Sequence, residues 1–182
     1  MPDNKRWFAI QVQSTREKLV STLLRHKGYE EFTPVYQVES GRAKGTEKPL
    51  FPGYLFCRCE YVPRVPPSGS AGILTTPGVI RILGFNRTPE PVEDSEIEGI
   101  RRLLSSRMAI QPLAQYAPGQ QVKIMDGPLK NVEGVIITIA GDDHLVVSVS
   151  LLQRSVSVKI DKRLAQIQNP ISNVEMTCAQ VQ

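Results

Sequence analysis

The chain has 182 residues, 41% of them hydrophobic, and a formal net charge of +4. This apolar content is enough for ordinary folded cores, which excludes a wholly disordered chain. No apolar run approaches the roughly 20 residues that cross a bilayer, and no long apolar stretch of a signal peptide opens the sequence. We therefore expect a cytoplasmic protein without a membrane partner. The modest positive charge suits contact with a polyanion but would serve solubility equally well.

The amino-terminal residues predict a strand followed by a helix. Residues 6–13 alternate between two faces with the period of a half-buried strand. Apolar residues then recur at helical spacing until Gly28, and Ser14 with Glu17 predicts a capping box at the start of this helix. The basic residues on its polar side are interpreted as a solvated face rather than as a nucleic-acid contact.

Further strands and a second helix complete this half. Residues 31–38, 50–60 and 78–83 are predicted strands, and a connector rich in proline and glycine separates the last two. Ser95 and Glu98 form another predicted capping box, which opens a helix with an apolar stripe. The order strand, helix, strand, strand, connector, strand, helix predicts an α+β domain, an antiparallel sheet with helices on one face.

The carboxy-terminal part predicts a small all-β barrel. Residues 107–116 lack periodicity and contain proline, which indicates a linker. Short β-rich runs separated by turn signals follow at residues 121–125, 132–139, 144–149 and 155–160. Gly127 and Gly134 stand where tight turns would need positive φ. The composition of residues 169–182 predicts a disordered tail.

Cysteine and histidine usage argues against a metal centre. Cys57 and Cys59 alternate on a predicted strand, Cys178 is distant, and the chain has 2 histidines, which does not give the spacing of a structural zinc site. We interpret the first two cysteines as small buried hydrophobes. Since no phosphate loop, nucleophile motif or carboxylate pair is found, we expect no cofactor and no enzymatic activity.

Two motifs resemble the NusG family of transcription elongation factors. Residues 48–58, KPLFPGYLFCR, are similar to the third strand of the family's amino-terminal (NGN) domain. Residues 126–129, DGPL, followed by EGV at 133–135, resemble the opening of its KOW domain. The resemblance implies an NGN domain at 5–106, a linker at 107–116, a KOW barrel at 117–168 and the tail at 169–182.

In this family, the NGN domain grips the clamp helices of the largest RNA polymerase subunit through an apolar patch on its sheet. The resemblance assigns to that patch the residues Phe51, Pro52, Tyr54 and Phe56. The outward phase of Trp7 on the first strand adds this residue. Without the family, aromatic residues on a strand are more simply interpreted as core. Pro52 and Gly53 favour the interface, because both weaken a central strand.

Two loops resemble, by position, segments that lie near the exposed non-template DNA strand in family members. The candidate DNA-contacting residues in these loops are Arg42, Lys44, Ser68, Thr75 and Thr76. A mobile surface loop explains the same residues equally well.

The KOW domain in this family binds a small-subunit ribosomal protein or the termination factor Rho. The matching residues are Leu129, Leu152 and Arg154. Leucine stands where NusG proper often has phenylalanine, which removes flat contact area and argues against Rho. The Pro-Leu-Phe-Pro segment and the short basic loop before it resemble specialised paralogues, of the RfaH or operon-specific antiterminator kind.

We therefore expect a monomeric, non-catalytic elongation factor, with two domains on a flexible tether, that modulates pausing, termination or antitermination. The alternative is a KOW-type RNA-binding or ribosome-associated protein that does not act on polymerase. Basic residues on the barrel support this alternative, whereas the scarcity of aromatic residues for base stacking argues against it.

The β-branched runs at 135–139 and 145–150 favour strands over a helix. We therefore expect a permanent barrel that does not switch to a helical form. We also expect it to leave Phe51 and Tyr54 uncovered.

Overall fold

The computed structural model describes residues 4–38, 44–62, 65–68, 70–86, 88–106, 108–113, 120–139, 142–160 and 165–167. Within these ranges the helices are α1 (Glu17–His26), α2 (Ser70–Leu74) and α3 (Asp94–Ser105). The amino-terminal strands are β1 (Lys5–Val12), β2 (Glu30–Phe32), β3 (Val35–Gln37), β4 (Glu47–Pro49), β5 (Tyr54–Val62), β6 (Val65–Ser68), β7 (Val79–Ile82), β8 (Gly84–Phe85), β9 (Thr88–Pro89) and β10 (Pro91–Val92). The carboxy-terminal strands are β11 (Ile110–Leu113), β12 (Gln120–Ile124), β13 (Glu133–Ile139), β14 (Asp142–Val149), β15 (Arg154–Lys159) and β16 (Ala165–Ile167).

An antiparallel sheet forms the centre of the amino-terminal module. Its strands run in the order β10-β1-β5-β2, with β7 also paired to β1 and β6 to β5. In the central pair, Trp7 lies opposite Arg58 and Ala9 lies opposite Phe56. Strands β3 and β4 form a separate ribbon, so the predicted strand at 31–38 is two strands that belong to different sheets.

Both faces of β1 are buried, although its alternation predicted a half-buried strand. Phe8 and Ile10 pack into one cluster with residues of α1 and α2. Trp7 and Ala9 pack into another cluster with residues of α3. Since successive side chains of a strand point to opposite faces, the helices cover both sides of the sheet. The α+β class is confirmed, whereas the placement of all helices on one face is wrong.

Helix α1 starts without the predicted capping box. Arg16 is its N-cap residue, and no side chain caps the helix. Glu17 is buried and accepts a hydrogen bond of 2.8 Å from the backbone N–H of Gly53. The Glu17 carboxylate, which the predicted capping box would place at the start of the helix, therefore binds the turn at Gly53 instead.

Helix α3 likewise starts at Asp94 without a side-chain cap, so Ser95 and Glu98 lie inside it. Its predicted apolar stripe is confirmed, because Ile97, Ile100 and Leu103 are buried.

A turn replaces the first part of the strand predicted at 50–60. Gly53 has φ +82°, in the left-handed region that favours glycine. The N–H of Tyr54 donates to the Phe51 carbonyl at 3.0 Å, and the Val12 N–H donates to the Gly53 carbonyl at 2.9 Å. These bonds fix the turn against the end of β1.

The carboxy-terminal strands form one antiparallel sheet in the order β11-β15-β14-β13-β12-β16, which we call the barrel. The four strands predicted for it are confirmed, and β11 and β16 were missed. Because β11 pairs with β15, residues 110–113 of the predicted linker are part of the barrel's sheet. Residues 114–116 of that linker and the predicted tail lie outside the described residues.

The two glycines predicted for barrel turns differ in their roles. Gly127 has φ +82°, as predicted. Gly134 is not among the glycines with positive φ, and a Cβ there would collide with the backbone carbonyl of Val146 on the neighbouring strand. The close approach of β14 therefore requires this glycine.

Replacing Glu17 by alanine should lower the free energy of unfolding by about 1–3 kcal/mol, because the buried Gly53 N–H would lose its acceptor. Lys18→Ala is the matched control, since Lys18 is exposed and its contact is a surface ion pair with Glu47. Urea unfolding followed by the fluorescence of Trp7, the 1 tryptophan in the chain, measures both changes. Equal effects of the two substitutions would contradict the structural role of Glu17.

Candidate functional site

The structure brings together most of the residues predicted for the apolar patch. We call Trp7, Phe51, Pro52, Tyr54 and Phe56 the aromatic patch. Trp7, Phe51 and Phe56 are 3%, 1% and 0% exposed, whereas Tyr54 is half-buried and Pro52 is exposed. The rings of Phe51 and Phe56 meet edge to face, with centroids 6.1 Å apart. This geometry is a favourable one for aromatic pairs.

Two residues that sequence reasoning missed complete the patch. Phe32 on β2 stacks on Phe56, with centroids 6.1 Å apart. Arg101 on α3 places its guanidinium 4.9 Å from the Trp7 ring centre and 5.0 Å from that of Phe32. Phe32 stands in a predicted strand, and its pairing opposite Phe56 could have indicated it. No sequence signal pointed to Arg101, because its position depends on how α3 packs.

The barrel contacts α3 along one face of that helix. The N–H and the hydroxyl of Ser150 donate to one carboxylate oxygen of Glu96 at 3.1 Å and 2.7 Å. Arg102 donates to the carbonyl of Lys130 at 2.6 Å. Residues 96, 99 and 102 are three positions apart and therefore share one helix face. We call Glu96, Gly99 and Arg102 the α3 seat.

Gly99 lies in the middle of the α3 seat, where a side chain would meet the barrel. A Cβ built on Gly99 would lie 3.1 Å from a methyl carbon of Val147 and 3.9 Å from one of Val132. In the described part of the chain, and apart from neighbouring α3 backbone, these are the heavy atoms within 4 Å of that position. The glycine thus permits close packing of β14 on α3.

The barrel residues predicted to bind a partner also lie close to this contact. The guanidinium of Arg154 lies 5.5 Å from the centre of the Tyr54 ring. Leu152 packs against the core cluster that contains Trp7, Phe51 and Phe56. Leu129 is buried and lines a cavity of about 350 Å³ with Met108 and Ile160.

The expectation that the barrel leaves Phe51 and Tyr54 uncovered is wrong. Phe51 belongs to one buried cluster with Leu145 and Val147 of the barrel, and Arg154 covers the Tyr54 ring. The sequence could not show this, because the contact depends on complementary shapes in two separately predicted modules. The expectation of a β module is confirmed in the described residues between 132 and 159, which carry strands and one short 3-10 turn.

The structure describes the side chains of three of the five candidate DNA-contacting residues, Lys44, Thr75 and Thr76. Arg42 lies outside the described residues, and so does the side chain of Ser68 on β6. Lys44 and Thr75 are exposed. Thr76 is 2% exposed, and its hydroxyl donates to the Gly72 carbonyl at 2.9 Å and accepts from Lys27 at 2.8 Å. Thr76 therefore holds α2 in place.

The cysteines of β5 are buried in the sheet. Cys57 and Cys59 are free, and they are 0% and 4% exposed. Burial raises the pKa of Cys57 to about 12 and that of Cys59 to about 11, and the neighbouring thiol and carboxylates add to the rise. The described residues contain no group of three potential metal ligands and no helix long and apolar enough to cross a membrane.

The family model described as transcription termination factor nusG matches residues 5–101. This range covers more than half of the chain and contains the whole aromatic patch. The chain belongs to the NusG family. The resemblance inferred from the two motifs is therefore confirmed.

Curated relatives of this NusG-family chain are similar over most of its length. The transcription termination/antitermination protein NusG of Escherichia coli (strain K12) is 29% identical over 175 residues, which cover 86% of this chain and 93% of the relative. The protein of that name from Buchnera aphidicola is 28% identical over 87% of this chain and 94% of its own. A solved structure on domain interaction in Thermotoga maritima NusG covers 91% of this chain and 98% of that chain, with 22% identity and a TM-score of 0.49.

The buried thiols should resist alkylation in the folded protein. In a folded Cys178→Ser variant at mildly alkaline pH, iodoacetamide should label Cys57 and Cys59 slowly. The reagent reacts with the thiolate, and the raised pKa values keep both buried thiols protonated. Labelling should become rapid once urea unfolds the chain. The free energy of unfolding should fall as pH rises from 9.0 towards about 11, because the unfolded thiols ionise before the folded ones. Mass spectrometry counts the labels, and rapid labelling of the native variant would contradict the burial.

Proposed function

We propose that this chain is a transcription factor that binds RNA polymerase through the aromatic patch and modulates pausing, termination or antitermination. The observation that carries the proposal is the family match over residues 5–101, which includes every residue of the patch. The relatives named transcription termination/antitermination protein NusG support the same role. The surface of the polymerase that we propose as the partner is the clamp helices of the largest subunit.

The geometry supports an interface in two ways. Aromatic rings from β1, β2 and β5 gather at one place, and Tyr54 and Pro52 retain exposed surface there. Large aromatic side chains at the centre of a contact supply much of the binding energy of protein interfaces. The protein acts by binding in this proposal, and it needs no catalytic group.

We further propose that the barrel recruits a second protein through Leu129, Leu152 and Arg154. This partner is a small-subunit ribosomal protein or Rho, and the leucines in place of aromatic residues favour the former. We propose that the amino-terminal domain spans residues 5–106. We propose that the carboxy-terminal domain begins at Ile110 rather than at residue 117, which the pairing of β11 with β15 supports.

Tyr54→Ala should weaken binding of the full-length chain to core RNA polymerase by about 5- to 30-fold. The substitution removes an aromatic anchor, which costs about 2 kcal/mol at an interface centre. It also removes the contact between the Tyr54 ring and Arg154. Because that contact lies at a partly exposed site, its loss favours polymerase binding by at most about 1 kcal/mol. The first effect is larger, so that the affinity falls. Fluorescence anisotropy of the labelled protein measures it.

Arg154→Ala is the matched control for Tyr54→Ala. It removes the same contact between Arg154 and the Tyr54 ring and leaves the patch intact. We expect unchanged or slightly tighter binding to polymerase. If both variants bind as the wild-type protein does, the patch is not the polymerase contact.

The loop that contains Lys44 is proposed to lie near the non-template DNA strand. Replacing Arg42 and Lys44 together by alanine should reduce the effect of the protein on polymerase pausing, and the reduction should shrink as salt rises, because phosphate contacts are screened. Lys48→Ala provides a control at a nearby exposed lysine on β4. In vitro transcription at several salt concentrations measures the effect, and a deficit independent of salt would contradict a DNA contact.

A further inference from the structure

Arg101 places a positive charge at the edge of the aromatic patch. Its guanidinium lies over two rings, 4.9 Å from the centre of Trp7 and 5.0 Å from that of Phe32. Arginine stacks on aromatic rings through its planar face, so that the rings restrict the orientation of the group. Because Trp7 is 3% exposed while the Arg101 side chain is 39% exposed, a partner that docks here meets the guanidinium rather than the indole.

The ion pair between Arg101 and β2 leaves the charge of Arg101 only partly compensated. A guanidinium nitrogen of Arg101 lies 3.8 Å from one carboxylate oxygen of Glu30, whereas a hydrogen bond between such groups spans about 3 Å. The other oxygen of Glu30 faces Arg58 at 3.4 Å. One carboxylate is therefore divided between two guanidinium groups, and ion pairs at such partly exposed positions are weak. This pair does not use the N–H groups of Arg101 in a hydrogen bond.

We propose that Arg101 is the charged anchor of the polymerase-binding surface, and that it receives a carboxylate from an aspartate or glutamate side chain of the polymerase. This inference rests on the proposed function of the aromatic patch, and it names the kind of group that the patch selects. A guanidinium presents parallel N–H groups that match both oxygens of a carboxylate, so that the bond has one orientation. The rings supply contact area, and Arg101 fixes the register of the complex.

The surroundings of Arg101 favour a protein carboxylate over a nucleic-acid phosphate. A nucleic-acid backbone is bound by several cations in a row, because its phosphates repeat along the strand. Next to Arg101, β2 instead carries Glu30 and Glu31, and the aromatic rings of Phe32 and Phe56 follow. Arginine beside aromatic side chains is a composition typical of the strongest points in protein–protein interfaces.

Arg101→Met in the full-length chain tests the anchor, because methionine removes the charge and keeps apolar surface over the rings. Arg25→Met is the matched control, since Arg25 is an exposed arginine of α1 that also pairs with a glutamate of β2, Glu31. Fluorescence anisotropy measures the affinity for core RNA polymerase at several salt concentrations, and circular dichroism checks that both variants are folded. We expect Arg101→Met to bind about 10-fold more weakly at low salt, with the deficit shrinking as salt rises. Arg25→Met should bind as wild type does.

Arg101→Lys identifies the group that is bound. A water-soluble carbodiimide activates a carboxylate, which then forms an amide with a lysine amine within reach while the reagent leaves as its urea. Phosphodiesters of DNA do not give this product. Mass spectrometry of the digested complex should find position 101 joined to an acidic residue of the polymerase. Arg25→Lys, treated in the same way, should give no such link at position 25.

The outcomes separate the anchor from the function of the patch. If Arg101→Met binds as tightly as wild type while Tyr54→Ala binds more weakly, the anchor is refuted and the polymerase contact of the patch stands. If the deficit is independent of salt, or if Arg101→Lys links to Glu30 and to no carboxylate of the polymerase, Arg101 acts through packing and the inference fails.

A comparison of core polymerase with polymerase on a nucleic-acid scaffold separates the two kinds of anion. An equal deficit on both supports a carboxylate of the protein. A deficit confined to the scaffolded polymerase would assign a phosphate to Arg101 and overturn the inference. If no form of the chain binds polymerase, the proposed function fails together with the anchor.

Discussion

The burial of α3 on two sides is the constraint on which the arrangement of this protein depends. One face of the helix buries Ile97, Ile100 and Leu103. The adjacent face, with Gly99 at its centre, receives the barrel. Because a single helix serves both modules, a change in its packing on the sheet is transmitted to the position of the barrel over the aromatic patch.

The turn at Gly53 provides the second fixed point. Its N–H donates to Glu17 of α1 and its carbonyl accepts from Val12 of β1. The turn is therefore held by a helix and by the central strand at once. Phe51 and Tyr54 lie on either side of it, so the position of the patch is set by backbone hydrogen bonds as well as by packing.

The contact between the modules combines polar bonds near solvent with an apolar cluster. The hydrogen bonds of Glu96 and Arg102 involve exposed or half-buried groups, which contribute about 1 kcal/mol each. Burial of apolar residues such as Val147 and Phe51 supplies the remainder. This contact is specific in its orientation, since the polar bonds select one arrangement of the barrel on α3.

The sequence by itself determined the class of fold, the family and most of the strands and helices, because these depend on periodicity and on short motifs. Alternation along β1 and the stripe of α3 were visible without a structure, and so was the motif that contains Phe51 and Tyr54. The true start of α1 was not, because Glu17 bonds to Gly53 instead of capping its own helix. The start of α3 was not visible either, since the helix already begins at Asp94, before the predicted cap residue Ser95. Neither were the strands β11 and β16, whose short segments are strands through their pairing with β15 and β12. Only the tertiary structure decided that the barrel lies on α3 and covers the patch. That contact joins residues as distant in the chain as Gly99 and Val147, and shape complementarity between separate modules leaves no local pattern in a sequence.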